Sequence, residues 1–345
     1  MKILVSALEP SSNLHLKEIL KDNRHLELRG IFDSSLGNPD FDTSKIAIMG
    51  FVDAIKKIRW FLNLAKEMVE LAKDVDKVLL MDSSGFNLPL AKKLKKAYPN
   101  IEIIYYILPQ IWVSRPKRVV KLERYCDKLL GILPFEKKYY SIDKYQYVGH
   151  PLLDEIDFNS INRDKNTIAY LAGSRRAEII ALMPIYKELQ QKLPKHKALL
   201  VIPPTFSNED IDNLYGDLNN FEISRDTHTS LKEASFAYIC SGTATLEAGL
   251  IGTPFVLTYI AKKVDFFIGK KIFKITQVGL ANILLTHHNN TTLHNELLQN
   301  DVNVKNLIEE YLKMDYQKFE QKAKELREYL QYGSSKSVLE VILAN

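Results

Sequence analysis

The sequence has few cysteines, glycines and prolines. Among its 345 residues there are 2 cysteines, 14 glycines and 13 prolines. Cys126 and Cys240 stand far apart and outside any CxxC pair, which argues against a disulfide scaffold or a zinc ribbon and is typical of a reducing cytoplasm. The modest glycine and proline content excludes collagen-like and linker-dominated chains.

Long apolar runs are also missing. No uninterrupted run approaches the ~18 residues that a membrane-spanning helix needs. The apolar stretch from Ile3 to Leu8 is short and lacks a small-residue cleavage site, so we expect no signal peptide.

Neither sign of charge dominates. The chain carries 47 lysines and arginines against 42 acidic residues, a net charge of +5. A nucleic-acid binder would show a basic stripe or a known module, so no nucleic acid is expected as a partner. The mild positive balance suits phosphorylated ligands or an anionic lipid surface.

Short apolar runs alternate with longer amphipathic segments along most of the chain. Runs such as Lys77–Met81 and Thr167–Leu171 are typical of buried strands, whereas residues 87–97 and 177–193 have helical periodicity. This alternation predicts an α/β fold with two Rossmann-like, doubly wound parallel-sheet domains. Ligands would bind at the carboxyl ends of the strands, in a cleft between facing domains.

A polar stretch near residues 151–165 marks the predicted domain boundary. We therefore predict an N-terminal Rossmann-like domain at residues 1–158 and a second one at residues 159–301. Strand signals end near Val302, which predicts a C-terminal helical segment at residues 302–345.

Gly173, Ser174 and Arg175 lie between a predicted strand and a predicted helix, with Arg176 next in line. Cations in the first turn of a helix oppose its macrodipole. A phosphate bound by backbone N–H groups and clamped by arginine would explain them. The alternative is a plain turn with solvated arginines.

A second turn of this kind contains Ser241, Gly242 and Thr243. The hydroxyl groups could simply be helix N-caps. Glu247, however, lies on the first turns of the following helix, from which a carboxylate can reach the ribose of a bound nucleotide. Two such turns suit a nucleotide diphosphate better than one.

Asp82 follows an apolar strand, where open α/β sheets present catalytic side chains. The alternative is an Asx-type cap of the next helix. The pair Asp74 and Asp76 resembles a metal-binding DxD motif, but flanking lysines favour a solvated turn. His287, His288 and the later His294 lie in a polar stretch, so no metal site is expected.

Apolar residues recur at helical spacing between residues 51 and 69. The apolar face comprises Phe51, Ile55, Ile58, Leu62, Ala65 and Val69, and the basic flank comprises Lys56, Lys57 and Arg59. The pattern is typical of an interfacial membrane helix. A core helix with solvated lysines fits it equally well.

Together these segments resemble the lipid-A-disaccharide synthase family, bacterial glycosyltransferases of the two-Rossmann (GT-B) type. The matching stretches are residues 49–52, 82–87, 109–112, 132–136, 148–152, 173–175, 241–247 and 280–284. Several of these motifs in this order are far more specific than any one alone.

The resemblance implies an inverting transfer from UDP-2,3-diacylglucosamine to 2,3-diacylglucosamine 1-phosphate. The products would be the β-1′,6-linked lipid A disaccharide phosphate and UDP. It also implies a cytosolic protein held peripherally at the inner membrane, with no cofactor, an acceptor-facing first domain and a donor-binding second domain. A homo-oligomer is compatible with it.

Motif by motif, the resemblance implies a role for each matching residue. Asp82 matches the family's essential aspartate and Arg175 its phosphate-binding arginine, while Glu247 and Asn282 fall in donor-binding segments. On the acceptor side Glu9 and Ser11 survive from a Gly-Glu-x-Ser-Gly-Asp motif that is otherwise replaced. Gly85 stands where the family usually has a second aspartate.

Two other functions remain open at this stage. A UDP-N-acetylglucosamine 2-epimerase would share the two-Rossmann architecture but need no membrane face. A non-catalytic protein that binds nucleotide sugars or lipids would keep the phosphate turns without needing Asp82.

Overall fold

The computed structural model describes residues 1–21, 25–48, 54–113, 115–159, 166–240, 242–260 and 277–344. Ser241 and Phe51 lie outside these residues, as do the side chains of Ile55, Lys56 and Lys57. The chain divides into two compact units. Unit one comprises Met1–Glu155 and Leu330–Asn345, and unit two comprises Ile156–Tyr329. The helical segment predicted at residues 302–345 is thus divided between them.

Unit one is built on a seven-stranded parallel sheet with the order β3-β2-β1-β4-β5-β6-β7. Its strands are β1 (Lys2–Ala7), β2 (Glu27–Phe32), β3 (Phe41–Asp42), β4 (Lys77–Met81), β5 (Glu102–Tyr106), β6 (Lys128–Gly131) and β7 (Tyr145–Tyr147). The helices between them are α1 (Pro10–Leu20), α2 (Thr43–Ile48), α3 (Ala54–Leu71), α4 (Ser84–Ala97), α5 (Arg118–Tyr125) and α6 (Leu152–Glu155).

Helices cover both faces of this sheet. Val78 and Leu80 of β4 pack in a buried cluster with Met68 of α3. Leu79 and Met81, which point to the other face, pack with Leu16 of α1. Because every residue of β4 is buried, the strand is an apolar run rather than an alternating one.

Unit two contains a six-stranded parallel sheet with the order β10-β9-β8-β11-β12-β13. Its strands are β8 (Thr167–Leu171), β9 (Lys197–Val201), β10 (Glu222–Ser224), β11 (Phe236–Ile239), β12 (Phe255–Tyr259) and β13 (Glu296–Leu298). Its helices are α7 (Arg176–Lys192), α8 (Asn208–Tyr215), α9 (Thr227–Glu233), α10 (Thr243–Ile251), α11 (Leu280–Asn289), α12 (Val304–Leu312) and α13 (Tyr316–Leu330). The last helix, α14 (Ser334–Leu343), returns to unit one.

The predicted fold class, two doubly wound parallel sheets, is confirmed. In each sheet the strand order reverses next to the first strand of the unit, between β1 and β4 and between β8 and β11. Such switch points open a crevice at the carboxyl ends of the strands, where α/β proteins bind ligands.

Candidate active site

In unit one, Glu9 and Asp82 follow the two strands that flank the switch point. Ala7 of β1 and Met81 of β4 are register partners, so the residues that come next leave the sheet side by side. The Ser83 hydroxyl donates a hydrogen bond of 2.8 Å to Glu9 Oε1. The structure therefore brings together Asp82 and Glu9, which the sequence assigned to separate motifs.

The backbone at Asp82 and Ser83 is left-handed, with φ of 48° and 37°. This conformation is uncommon outside glycine and is found at strained functional turns. The Asp82 carbonyl accepts a 2.5 Å hydrogen bond from the Tyr105 hydroxyl and a 3.0 Å bond from Asn87 Nδ2. These bonds hold the turn in place.

Asn87 lies on α4 and is fully buried. Both polar atoms of its side chain form hydrogen bonds within unit one. Its amide nitrogen donates to the Met81 and Asp82 carbonyls, and its Oδ1 accepts from the Ser6 hydroxyl at 2.7 Å. Sequence reasoning missed Asn87 and Tyr105 as supports of Asp82. An asparagine among the apolar positions of a helix was the available signal for Asn87, but nothing in the strand pattern distinguished Tyr105.

The surroundings raise the pKa of the Asp82 carboxyl above its ordinary value. Burial is the main cause, and the nearby Glu9 carboxylate adds to it, whereas the Ser83 N–H and His15 act in the opposite direction. The N-cap residue of α4 is Ser83, so the interpretation of Asp82 as that cap is wrong. A raised pKa makes the ionised carboxylate a stronger base, which suits it to accept a proton.

A pocket of about 660 Å³ opens beside Asp82 within unit one. Its polar lining residues are Glu9, Asp82, Ser83, Ser84 and Lys93. Its apolar lining is formed by Leu8, Ile58, Phe61, Leu62, Ala65, Phe86 and Pro89. The pocket can thus accommodate a ligand that has both polar and hydrocarbon parts.

Helix α3 supplies part of this wall and combines two kinds of surface. Ile58 and Leu62 are 61% and 50% exposed, whereas Leu64 and Met68 are buried. The end near Ile58 therefore presents apolar side chains to the surface, and the later turns form core. Within the described ranges, no helix has the length and apolar character required to cross a bilayer.

Ser11 and Asn13, two other residues of the N-terminal motif, lie away from the pocket lining. Ser11 is exposed on α1 and does not line the pocket. Asn13, where the family has aspartate, donates from Nδ2 to the Ala7 carbonyl at 2.9 Å and accepts from the Asp33 N–H at 2.7 Å. Asn13 therefore braces the loop after β1.

In unit two, the turn at Gly173 follows β8 at the second switch point. Gly173 has a φ of +96°, and a Cβ there would lie 2.6 Å from Glu178 Oε2 and 3.1 Å from Cys240 Sγ. Glycine is required because both the backbone conformation and the space exclude a larger residue. The close approach to Cys240 brings the turns after β8 and β11 together.

Arg175 occupies the N-cap position of α7 and is largely exposed. Its Nη1 lies 2.6 Å from Glu178 Oε1, so the guanidinium is oriented rather than loose. Ser174 beside it is exposed, and Arg176 forms a separate ion pair with Asp210. Arg175 is therefore an exposed cation of this turn that is held by Glu178.

The turn after β11 is open at its glycine. Gly242 has a φ of +117° and has no atom within 4 Å of a Cβ built on it. Thr243 is exposed, and Glu247 Oε2 lies 3.5 Å from His228 Nε2. The first turn of α10 therefore presents backbone and hydroxyl groups to solvent. Glu247 follows one turn later on the same helix.

Asn282 lies on α11 and is buried, and both polar atoms of its side chain form hydrogen bonds. Its Nδ2 donates to the His294 carbonyl and to Glu296 Oε1, both at 2.9 Å, and its Oδ1 accepts from the Leu293 N–H at 2.8 Å. The side chain locks the segment that begins α11 to the segment before β13, which the sequence did not predict.

The Asp74–Asp76 pair lies at the amino end of β4, opposite Asp82. Asp76 Oδ2 accepts a 2.8 Å hydrogen bond from the Lys2 N–H. Among the residues that the structure describes, no group of three histidine, cysteine or acidic side chains is arranged to hold a metal ion.

Comparison with solved structures defines the class of fold. UDP-GlcNAc 2-epimerase from Neisseria meningitidis, solved bound to UDP-GlcNAc, has a TM-score of 0.67 at 14% identity, with 100% of both chains covered. The glycosyltransferase SnogD from Streptomyces nogalater has a TM-score of 0.58 at 15% identity, with 100% of this chain and 99% of that chain covered. The protein therefore has the GT-B fold.

Comparison with protein families is more specific. The model of the lipid-A-disaccharide synthetase family matches residues 3–342. Lipid-A-disaccharide synthase of Helicobacter pylori strain J99 is 46% identical over 354 residues, covering 98% of this chain and 97% of that protein. The synthase of Campylobacter jejuni strain RM1221 is also 46% identical, with 98% of both chains covered. The chain belongs to the lipid-A-disaccharide synthetase family and is a glycosyltransferase of lipid A biosynthesis.

Proposed function

We propose that the enzyme transfers the sugar of UDP-2,3-diacylglucosamine to 2,3-diacylglucosamine 1-phosphate, with inversion at the anomeric carbon. The products are the β-1′,6-linked disaccharide 1-phosphate and UDP. The observation that carries the proposal is Asp82: a partly buried carboxylate with a raised pKa, fixed at a switch point beside a pocket with a long apolar wall.

Unit one is assigned the acceptor. Asp82 takes the proton from the 6-hydroxyl of the acceptor as that oxygen attacks the anomeric carbon of the donor. Glu9 supports Asp82 through Ser83, and an acyl chain lies along Phe61, Leu62 and Phe86. A positioned general base contributes roughly 10²–10⁴ in rate.

Unit two is assigned the donor. As the bond between the anomeric carbon and the diphosphate breaks, negative charge grows on UDP. Gly173, Ser174 and Arg175, together with the turn at Ser241, Gly242 and Thr243, stabilise that charge with backbone N–H groups and one guanidinium. Glu247 meets the ribose, and Asn282 acts through the segment that it holds. Guanidinium and helix N-termini supply the charge that a metal would otherwise provide.

We also propose that the enzyme works at an anionic membrane surface on the cytosolic side. Both substrates carry acyl chains that stay in the bilayer. The exposed Ile58 and Leu62 lie on the pocket wall, so a membrane against this helix would meet the acyl chains where they enter. Arg59 is exposed beside them and suits acidic headgroups.

UDP release with defined acyl substrates tests the proposal. We expect release only when donor and acylated acceptor are both present, unchanged activity in excess EDTA, and a loss of at least 100-fold in kcat for Asp82→Asn with UDP affinity retained. Epimerisation of a UDP-sugar without acceptor would indicate an epimerase instead. Binding without turnover would indicate a non-catalytic protein, and recovery of EDTA-treated enzyme by Mg²⁺ would indicate a metal site.

A further inference from the structure

Arg118 is a cation placed at the Asp82 turn by a different strand-helix connection. It is the first residue of α5, and its Nη1 donates a 2.8 Å hydrogen bond to the Ser84 hydroxyl. Ser84 lines the same pocket as Asp82. Nothing in the sequence motifs singled out Arg118, because it is 34 positions away from Ser84 in sequence.

The charge of Arg118 has no acidic partner in the described part of the chain, where no carboxylate oxygen lies within 4 Å of it. Arg29, Arg175 and Arg176, by contrast, each form an ion pair. A guanidinium has five N–H donors in a planar fork that fits phosphate. One donor is used by Ser84, so the side chain is oriented while its remaining donors can bind a ligand.

We propose that Arg118 binds the anomeric phosphate of the acceptor and so makes the enzyme specific for a phosphorylated sugar. This inference rests on the proposed function. Asp82 and Ser84 are two positions apart in sequence, a span of at most about 7 Å between their Cα atoms. In a glucopyranose the anomeric oxygen is on C1 and the 6-hydroxyl is on the substituent of C5, and both carbons are bonded to the ring oxygen, so the two groups lie at the same edge of the ring. With the 6-hydroxyl at Asp82, the phosphate therefore comes within reach of the guanidinium on Ser84.

The pocket supports this orientation electrostatically. Glu9 and Asp82 would repel a second anion, whereas Arg118 is hydrogen-bonded to the neighbouring Ser84 and would attract one. Lys93 adds a cation to the lining. A phosphate can therefore share the site with the proton-accepting carboxylate, because these cations offset the repulsion.

The inference is tested by measuring wild type and Arg118→Ala with each of two acceptors. One acceptor carries the phosphate and the other is the same diacylglucosamine without it, both in detergent micelles. We expect Arg118→Ala to lower kcat/KM about 10- to 100-fold for the phosphorylated acceptor, the range for a lost hydrogen bond to a charged group, and less than about 2-fold for the other. Arg118→Lys should recover part of the loss. Lys121→Ala, an exposed cation on the same helix, is the matched control.

Equal losses with both acceptors would overturn the inference and leave Arg118 as a brace for Ser84. Binding of the two acceptors without donor, measured by calorimetry, decides the question even if no turnover occurs, so failure of the proposed function is distinguishable. Co-sedimentation with phosphatidylcholine vesicles, with and without phosphatidic acid, tests whether Arg118 binds the phosphate of a lipid headgroup instead. If Arg118→Ala weakened only vesicle binding, the guanidinium would meet lipid headgroups and the inference would be wrong.

Discussion

The Ser83 hydroxyl and the Glu9 carboxylate are 2.8 Å apart and join residues 74 positions apart in sequence. This contact sets a second acid beside the proposed base. The negative charge of Glu9 raises the pKa of Asp82, because it disfavours ionisation of its neighbour.

Glu9→Gln should therefore lower the pKa of Asp82. The base must be ionised to accept a proton, so activity rises with pH through that pKa, and the acid limb of kcat/KM should move to lower pH in the variant. The amide oxygen can still accept from Ser83, which keeps the geometry. A pH-rate profile measures the shift, with Glu18→Gln on α1 as control. An unmoved acid limb would remove Glu9 from the electrostatics of the site.

Arg175→Ala should weaken UDP binding about 10- to 100-fold, because a charge-assisted hydrogen bond to phosphate is lost. Arg175→Lys should retain part of the affinity, since it keeps the charge without the bidentate fork. Calorimetry with UDP measures both. Arg176→Ala, whose guanidinium pairs with Asp210, is the control. The same affinity in wild type and Arg175→Ala would place the diphosphate elsewhere.

Glu136 is a buried acid in the segment that begins at Ile132, and it is 1% exposed. Its Oε2 and Trp112 Nε1 are both buried, and the interaction with Trp112 lowers the pKa of Glu136 against the larger effect of burial. Burial raises the pKa of Glu136 to about 8. The folded protein therefore keeps a proton there that the unfolded chain releases near pH 4.3.

The free energy of unfolding should consequently fall as pH rises from about 5 to about 8, by up to about 1.4 kcal/mol per pH unit from this group. The glutamine side chain in Glu136→Gln carries no charge at any pH. The free energy of unfolding of the variant should therefore exceed that of wild type by an amount that grows to a few kcal/mol between about pH 5 and about pH 8. Urea unfolding at several pH values measures the difference, with the exposed Glu67→Gln as control. Parallel pH curves for wild type and Glu136→Gln would contradict it.

Replacing the exposed residues of α3 should separate membrane contact from folding. Ile58→Ser with Leu62→Ser should release the protein from anionic vesicles and leave its melting temperature nearly unchanged, because both side chains are exposed. Met68→Ser on the same helix should do the reverse, since Met68 is buried. Co-sedimentation and a thermal melt give both readouts. A double variant that still binds vesicles but melts early would assign Ile58 and Leu62 to the core.

The fold was predictable because its signals are local. Buried parallel strands such as Lys77–Met81 are continuous apolar runs, and a segment whose apolar residues recur at helical spacing follows each of them. Asp82 and Gly173 were found as candidate site residues because strand ends followed by small-residue turns are visible in sequence. The supports of Asp82 were not predictable, since Tyr105 and Glu9 reach it from other strand ends.

Two parallel-sheet domains, the family, and the residues at the ends of β4, β8 and β11 were predictable without coordinates. The contacts of those residues and the direction of their pKa shifts follow from the packing of the chain. That packing paired Glu9 with Ser83, brought Arg118 to Ser84 and bonded the amide of Asn282 within unit two. It also left Ile58 and Leu62 of α3 exposed while burying Leu64 and Met68. Propensity and periodicity act over a few residues, whereas hydrogen bonds, burial and pKa values depend on neighbours that only the packed chain supplies.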